Sequence, residues 1–283
     1  MNKLHRELAP ISKAAWGAIE EEAARSFRAY AAARRAVDVV EARGAAAIST
    51  GRLDALGAQP EGVLARRRAA LPVIEWRVPF ALERSTIEAL ERGAADADLQ
   101  PVKDAVRRLA AVENRIVFTG SQEAGIAGIA SAAAALPMPA QPEQWPQAFA
   151  TARERLRRAA VGGPYIAVLG ASELLAMQTT ILGGYPVLEI VRKLLGEGAR
   201  IVWADTLEGA YILSARGGDF AMHLASDAAI GYTGCDEGSV QLYLEEAFSF
   251  QLIDSDAAVC FQPGGRDKKQ SSRRRTSGQR KRA

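Results

Sequence analysis

The segment from residue 4 to residue 27, LHRELAPISKAAWGAIEEEAARSF, constrains this chain more than any other. Trp16, Ile19, Ala23, Phe27 and Tyr30 recur three and four residues apart, which sets them along one face of a helix. Glu20, Glu21, Arg25 and Arg28 fall on the opposite face. Ser12 is placed to cap the helix, and Pro10 before it discourages extension backwards. On these residues alone the segment is an amphipathic surface helix laid against a core.

The rest of the chain reads as a mixture of helices and strands. Residues 40–59 are rich in Ala and Gly and lead to Arg66, Arg67 and Arg68. From Ile74 the alternation is regular: Ile74, Trp76, Val78 and Phe80 face one way, Glu75 and Arg77 the other. That pattern predicts a half-buried strand, with Pro79 at an edge or a bulge. Val102, Val106, Leu109, Val112 and Ile116 predict a helix over 99–118, with Pro101 in its first turn and Gly120 closing it. Pro137, Pro139, Pro142 and Pro146 mark 131–146 as a connection between subdomains. A helix over 146–160 follows, then strands at 165–169 and 200–204 flanking a helix. Strands at 210–215 and 220–224 are expected to form a hairpin through Arg216-Gly217-Gly218-Asp219. Val240, Leu242, Leu244, Phe248 and Phe250 share one face of a last long strand.

Several kinds of chemistry find no support in this pattern. His5 and His223 are the only histidines, and neither lies within four residues of a cysteine or of the other, so no metal spacing exists. Gly120, Gly125 and Gly128 lack the Lys-Ser/Thr of a phosphate loop; they read as a chain turning where another backbone comes close. Ser172 lacks the second glycine of a nucleophile elbow. Cys235 sits beside Asp236 and Glu237, not in the cationic surroundings of a reactive thiolate. Two cysteines in 283 residues imply no disulfide framework. No apolar run is long enough to span a bilayer or to serve as a secretory leader, so no membrane partner and a cytoplasmic location are expected.

The net charge of +3 conceals an asymmetry. Residues 264–283 hold nine Lys or Arg and one Asp, leaving 27 positive against 32 negative charges in the remainder. This end is expected to be disordered and to bind nucleic acid or acidic partners in a salt-sensitive way, or else to act only as solubilising decoration.

A series of short motifs, taken in order, resembles the encapsulin shell proteins of bacterial and archaeal nanocompartments. They are Leu8-Ala9-Pro10, Trp16, Ile19, Phe27, Arg34 and Val37-Asp38-Val39, then Pro72-Val73-Ile74-Glu75, Val78-Pro79-Phe80, Glu91-Arg92-Gly93 and Pro101-Val102-Lys103-Asp104. Gly125-Ile126, Gly128-Ile129, Gly163-Pro164-Tyr165, Gly184-Tyr185-Pro186, Arg216-Gly217-Gly218-Asp219, Ile230-Gly231-Tyr232 and the stretch 242–250 continue in register. The resemblance covers residues 1 to about 262. It departs at Val40-Glu41-Ala42-Arg43-Gly44, where relatives carry Gly-Pro-x-Gly in a loop that packs between subunits.

The resemblance implies an α+β, tailed-phage (Hong Kong 97-type) major capsid protein fold with a peripheral domain, an axial domain and an extended loop. The expected division is 1–44 (N-terminal helix and start of the peripheral domain), 45–71 (extended loop), 72–131 (peripheral domain with the long helix), 132–220 (axial domain), 221–263 (peripheral return strands) and the tail 264–283. It implies a shell that encloses a cargo enzyme, such as a dye-decolourising peroxidase or a ferritin-like protein, docked by its C-terminal peptide. The chain itself is then not an enzyme and carries no cofactor. Some relatives bind flavin through an aromatic residue, but Ser85 stands at that position.

The matching cargo-peptide positions are Phe27, Arg34, Asp38 and Val39, with Ile230 and Leu244 beside them. Arg34 and Asp38, four apart, are alternatively a salt bridge on one helix. Gly183, Gly184 and Tyr185 match the rim of the five-fold pore, or Gly183-Gly184 simply ends a helix before Pro186. Two other readings remain open on the sequence: a phage or prophage capsid protein of the same fold, and a basic-tailed nucleic-acid-binding protein that forms no shell.

Overall fold

The computed structural model describes residues 4–57, 60 and 63–263. The basic segment 264–283, with the expectations placed on it, lies outside the described residues. Helix α1 (Lys13–Tyr30) begins at Ser12, whose hydroxyl accepts from the Ala15 amide at 3.3 Å. Short helix α2 (Ala32–Ala36) and strand β1 (Asp38–Glu41) follow. Strands β2 (Ala47–Ala55) and β3 (Arg66–Pro72) pair with each other in an arm whose side chains are mostly exposed. Then come β4 (Ile74–Glu83), α3 (Arg84–Glu91) and α4 (Gln100–Phe118). Two-residue strands β5 (Gly120–Ser121) and β6 (Ile126–Ala127) precede β7 (Ala134–Met138), α5 (Trp145–Arg158), β8 (Tyr165–Leu169) and α6 (Ala171–Thr179). A small hairpin, β9 (Ile181–Leu182) and β10 (Tyr185–Pro186), leads to α7 (Val187–Leu195), β11 (Arg200–Trp203) and β12 (Ala210–Ser214). Strands β13 (Phe220–Cys235), β14 (Ser239–Leu252) and β15 (Ala258–Pro263) complete the described chain.

Two sheets organise these elements. The first runs β1-β13-β14-β4, with β1 parallel to β13 and the other pairs antiparallel. Strand β4 is an edge, where the missing N–H of Pro79 costs no ladder bond. Helices α1 and α4 cover this sheet. Trp16 and Ile19 meet Val102, Val106 and Leu109, which pack on Phe80, Leu82 and Leu242. Burying such apolar faces is worth roughly 25 cal/mol per Å² removed from water. The second sheet runs β11-β8-β12-β15-β7. Every residue of β8 and β12 is buried, which explains their continuous apolar runs. Helix α5 lies on this sheet, with Phe149 stacked on Phe261 at 4.8 Å between ring centres. A continuous core through Phe118, Phe248 and Phe250 joins the two sheets.

The structure corrects four expectations. Strands β12 and β13 do not form a hairpin: β12 pairs with β8 and β15, while β13 belongs to the other sheet. Gly217 and Gly218, at φ +85° and +81°, carry the chain from one sheet to the other. Residues 131–146 are not only a connection, because β7 forms the edge of the second sheet and tolerates Pro137 there. Residues 221–263 do not stay together, since β15 joins the second sheet. Between β8 and β11 the chain forms two helices with the β9–β10 hairpin between them, not one.

The Gly120–Gly128 reading holds. A Cβ on Gly128 would lie 2.2 Å from the Gly120 nitrogen, so the two backbones meet there.

Candidate functional site

A groove of about 400 Å³ lies between the exposed flank of α1 and the first sheet. Its size falls in the range of about 300–1,000 Å³ typical of small-ligand clefts. Phe27, Ile230 and Leu244 give it apolar walls, with Val106 of α4 also lining it. Ile230 and Leu244 are buried, but Phe27 is only half-buried, so part of the expected core face of α1 is left open. Opposite Phe27 the register of β13 against β14 shifts between Leu224 and Ser226 and again between Ser226 and Ala229. Such bulges re-aim side chains, and this one sets Asp227 and Ala228 on the groove's wall. Arg6 and Glu20, an ion pair at 2.6 Å, also line the groove.

Arg34 is the charged centre of the site. Its guanidinium carbon lies 4.6 Å from the centre of the Phe27 ring, in cation–π contact. Nε donates to Glu113 Oε1 at 2.8 Å, and the same guanidinium reaches Glu246 Oε1 at 2.5 Å and Asp227 Oδ1 at 2.8 Å. Burial opposes the charge of Arg34, but Glu113, Glu246 and Asp227 more than offset it and hold the guanidinium protonated. Glu113 and Glu246 are wholly buried, whereas Asp227 is two-thirds exposed. Burial raises both buried acids, and the neighbouring Glu113 charge pushes Glu246 further, well above the ordinary carboxylate range.

The structure brings together Phe27, Arg34, Ile230 and Leu244. It does not bring Asp38 and Val39 to them. Helix α2 ends at Ala36, so Arg34 and Asp38 share no helix and form no salt bridge. Asp38 instead accepts from the Gly218 amide at 2.6 Å, bracing the crossover between the sheets. Val39 lies in edge strand β1, 43% exposed. Gly183 and Gly184 do not end a helix. They form the tip of the β9–β10 hairpin, both at positive φ (+59° and +86°), the turn in which glycine is favoured at both positions. Tyr185 beside them is 60% exposed, and the Lys193 ammonium lies 5.2 Å from its ring centre.

Sequence reading missed Glu113 and Glu246, although the signal was present. Position 246 falls on the inward face of β14, among Leu242, Leu244, Phe248 and Phe250. Glu113 lies on the face of α4 that carries Leu109 and Ile116. A charge at an inward position is rare unless it is paired. Among the described residues, no group of three or more His, Cys, Asp or Glu side chains is arranged to hold a metal ion, and both cysteines are free. No helix of the described residues is long and apolar enough to cross a membrane.

Comparison with solved structures defines the class of protein. The fold matches a virus-like particle from Pyrococcus furiosus (TM-score 0.61, 12% identity, 86% of this chain and 98% of that one). It also matches the capsid of Myoviridae phage XM1 (TM-score 0.55, 10% identity, 81% and 89%). These likenesses establish a Hong Kong 97-type capsid fold. The family model described as "Encapsulating protein for peroxidase" matches residues 1–249. A type 1 encapsulin shell protein of Mycolicibacterium paratuberculosis is 46% identical over 263 residues, 92% of this chain and 98% of the relative. Another, from Rhodospirillum rubrum, is 44% identical over 270 residues, 92% and 96%. The chain belongs to the encapsulin family of shell proteins. Its relatives are named for a structural shell, not for an enzyme.

Proposed function

We propose that this chain assembles with copies of itself into a closed icosahedral nanocompartment in the cytoplasm and encloses a cargo enzyme, a dye-decolourising peroxidase or a ferritin-like protein. The cargo is held by its C-terminal targeting peptide in the groove beside Phe27. The observation that carries this reading is the match to a peroxidase-encapsulating family over most of the chain, together with an open apolar groove where that family's motif residues meet. Identical heterologous contacts, repeated under closed symmetry, build a container from one polypeptide. An extended peptide would bury a few aliphatic side chains against Phe27, Ile230 and Leu244, each fully buried one worth roughly 1.5–3 kcal/mol. The glycine tip of the β9–β10 hairpin, free of bulky side chains, suits the rim of a pore for small substrates.

Co-expression with a peroxidase that carries or lacks its last residues tests the reading. Negative-stain images should show uniform hollow particles in both cases, with the peroxidase retained only when its peptide is present. Phe27→Ala should leave the particles intact and reduce retention. Small oligomers only would refute the shell, and retention independent of the peptide would refute the groove's role.

A further inference from the structure

The Arg34 cluster holds an imbalance that the docking reading does not use. Glu113 and Glu246 are both wholly buried, and each spends one oxygen, Oε1, on Arg34. The Oε2 atom of each is buried with no hydrogen-bond partner. Arg34 is the one cation ion-paired to either of them among the described residues. If both acids were ionised, the buried trio would carry a net negative charge and two bare anionic oxygens, an arrangement that costs several kcal/mol per unmatched ion. Two like-charged carboxyls in one site relieve this by keeping a proton. We propose that Glu113 and Glu246 hold one proton between their two Oε2 atoms, and that this acid–carboxylate pair, neutral together with Arg34, positions the guanidinium against Phe27.

The surroundings fit. From α4, Asn114 points elsewhere, donating to Tyr30 O and accepting from the Ala33 amide, each at 2.9 Å. From α1, Glu22 is occupied by Ser26 and Arg25. From β13, Asp227 meets Arg34 from solvent and stays outside the buried trio. From β4, Trp76 stands opposite Glu246 in the strand register, with its indole N–H unpartnered; being neutral, it leaves the charge balance unchanged. Both carboxyls sit on the one guanidinium of Arg34, which holds them in a single site, and burial raises the pKa of both, Glu246 the more. Glu113 and Glu246 are thus positioning residues that act through Arg34. This part of the inference rests on the docking reading, whereas the shared proton does not.

The test is infrared spectroscopy of empty shells in D2O at neutral pH, where exposed carboxylates are ionised and a protonated carboxyl gives a separate C=O band. The band should be present, should shift on 13C-glutamate labelling and should vanish in both Glu246→Gln and Glu113→Gln. No band, a band unmoved by glutamate labelling, or one that survives both substitutions would overturn the shared proton. Should the variants fail to fold, labelling of the unaltered chain still decides. A synthetic cargo peptide should bind Glu113→Gln/Glu246→Gln shells roughly tenfold more weakly than unaltered ones, the effect of about 1.4 kcal/mol, with Glu246→Gln, which keeps one buried carboxylate on Arg34, falling between the two. Equal binding to the double variant would overturn the positioning role. Failure of the unaltered shell to bind any peptide would instead refute the docking reading and leave the infrared result standing.

Discussion

Replacing Arg34 by Met keeps the bulk of the side-chain stem and deletes the charge, which isolates what the guanidinium does. Arg34 is 19% exposed and its partners Glu113 and Glu246 are 0% exposed, so solvent screens little of the interaction. Breaking a buried pair by removing one member costs about 3–5 kcal/mol, because the remaining charge has no partner. Loss of the contact with the Phe27 ring adds about 0.5–1 kcal/mol. Asp227→Asn removes a partner that is 66% exposed, and such surface pairs are worth about 0–1 kcal/mol. The expectation is a loss several times larger for Arg34→Met than for Asp227→Asn. The triple variant Arg34→Met, Glu113→Gln, Glu246→Gln should recover most of that loss, since a matched neutral set replaces a buried ionic one without leaving a bare charge. Guanidinium chloride unfolding followed by tryptophan fluorescence measures this, at one fixed subunit concentration because assembly makes the midpoint concentration-dependent. Arg34→Met no worse than Asp227→Asn, or a triple variant as unstable as the single one, would refute the electrostatic account.

Three further outcomes are expected. The pKa of Glu246 is raised by burial above its ordinary 4.5, so the folded chain keeps a proton that the unfolded chain releases. Its contribution to stability is therefore complete below pH 4.5 and declines as pH rises toward the raised value, and Glu246→Gln should flatten that slope in a pH series of unfolding midpoints. Phe149→Ala empties a fully buried position that stacks on Phe261 and should cost about 3–5 kcal/mol in the same assay, a loss under 1 kcal/mol arguing against the packing described. Gly128→Ala would drive a Cβ into the Gly120 backbone and should cost at least about 1–3 kcal/mol, visible as reduced yield of folded shells; a neutral result would mean that the two backbones do not meet.

What could be read without coordinates was local. The N-cap at Ser12, the apolar row of α4, the alternation in β4 and β14 and the turn at Gly120 each depend on neighbours within a few positions, and each stands in the structure. The two-glycine link at Gly217-Gly218 was misread because a turn between two strands has the same local chemistry whether they pair with each other or part into different sheets. Strand β7 was hidden because prolines that mark a connection are also tolerated at a sheet edge. The groove divided the same way. The matched motifs named Phe27, Arg34, Ile230 and Leu244, which line the groove, but also Asp38 and Val39, which do not; Asp38 lies instead at the sheet crossover. Glu113 and Glu246 sit on α4 and β14, far apart along the chain, and each taken alone only interrupts an apolar pattern. The tertiary structure alone gives them one cation to share, because whether a buried charge is matched depends on which elements the fold presses together.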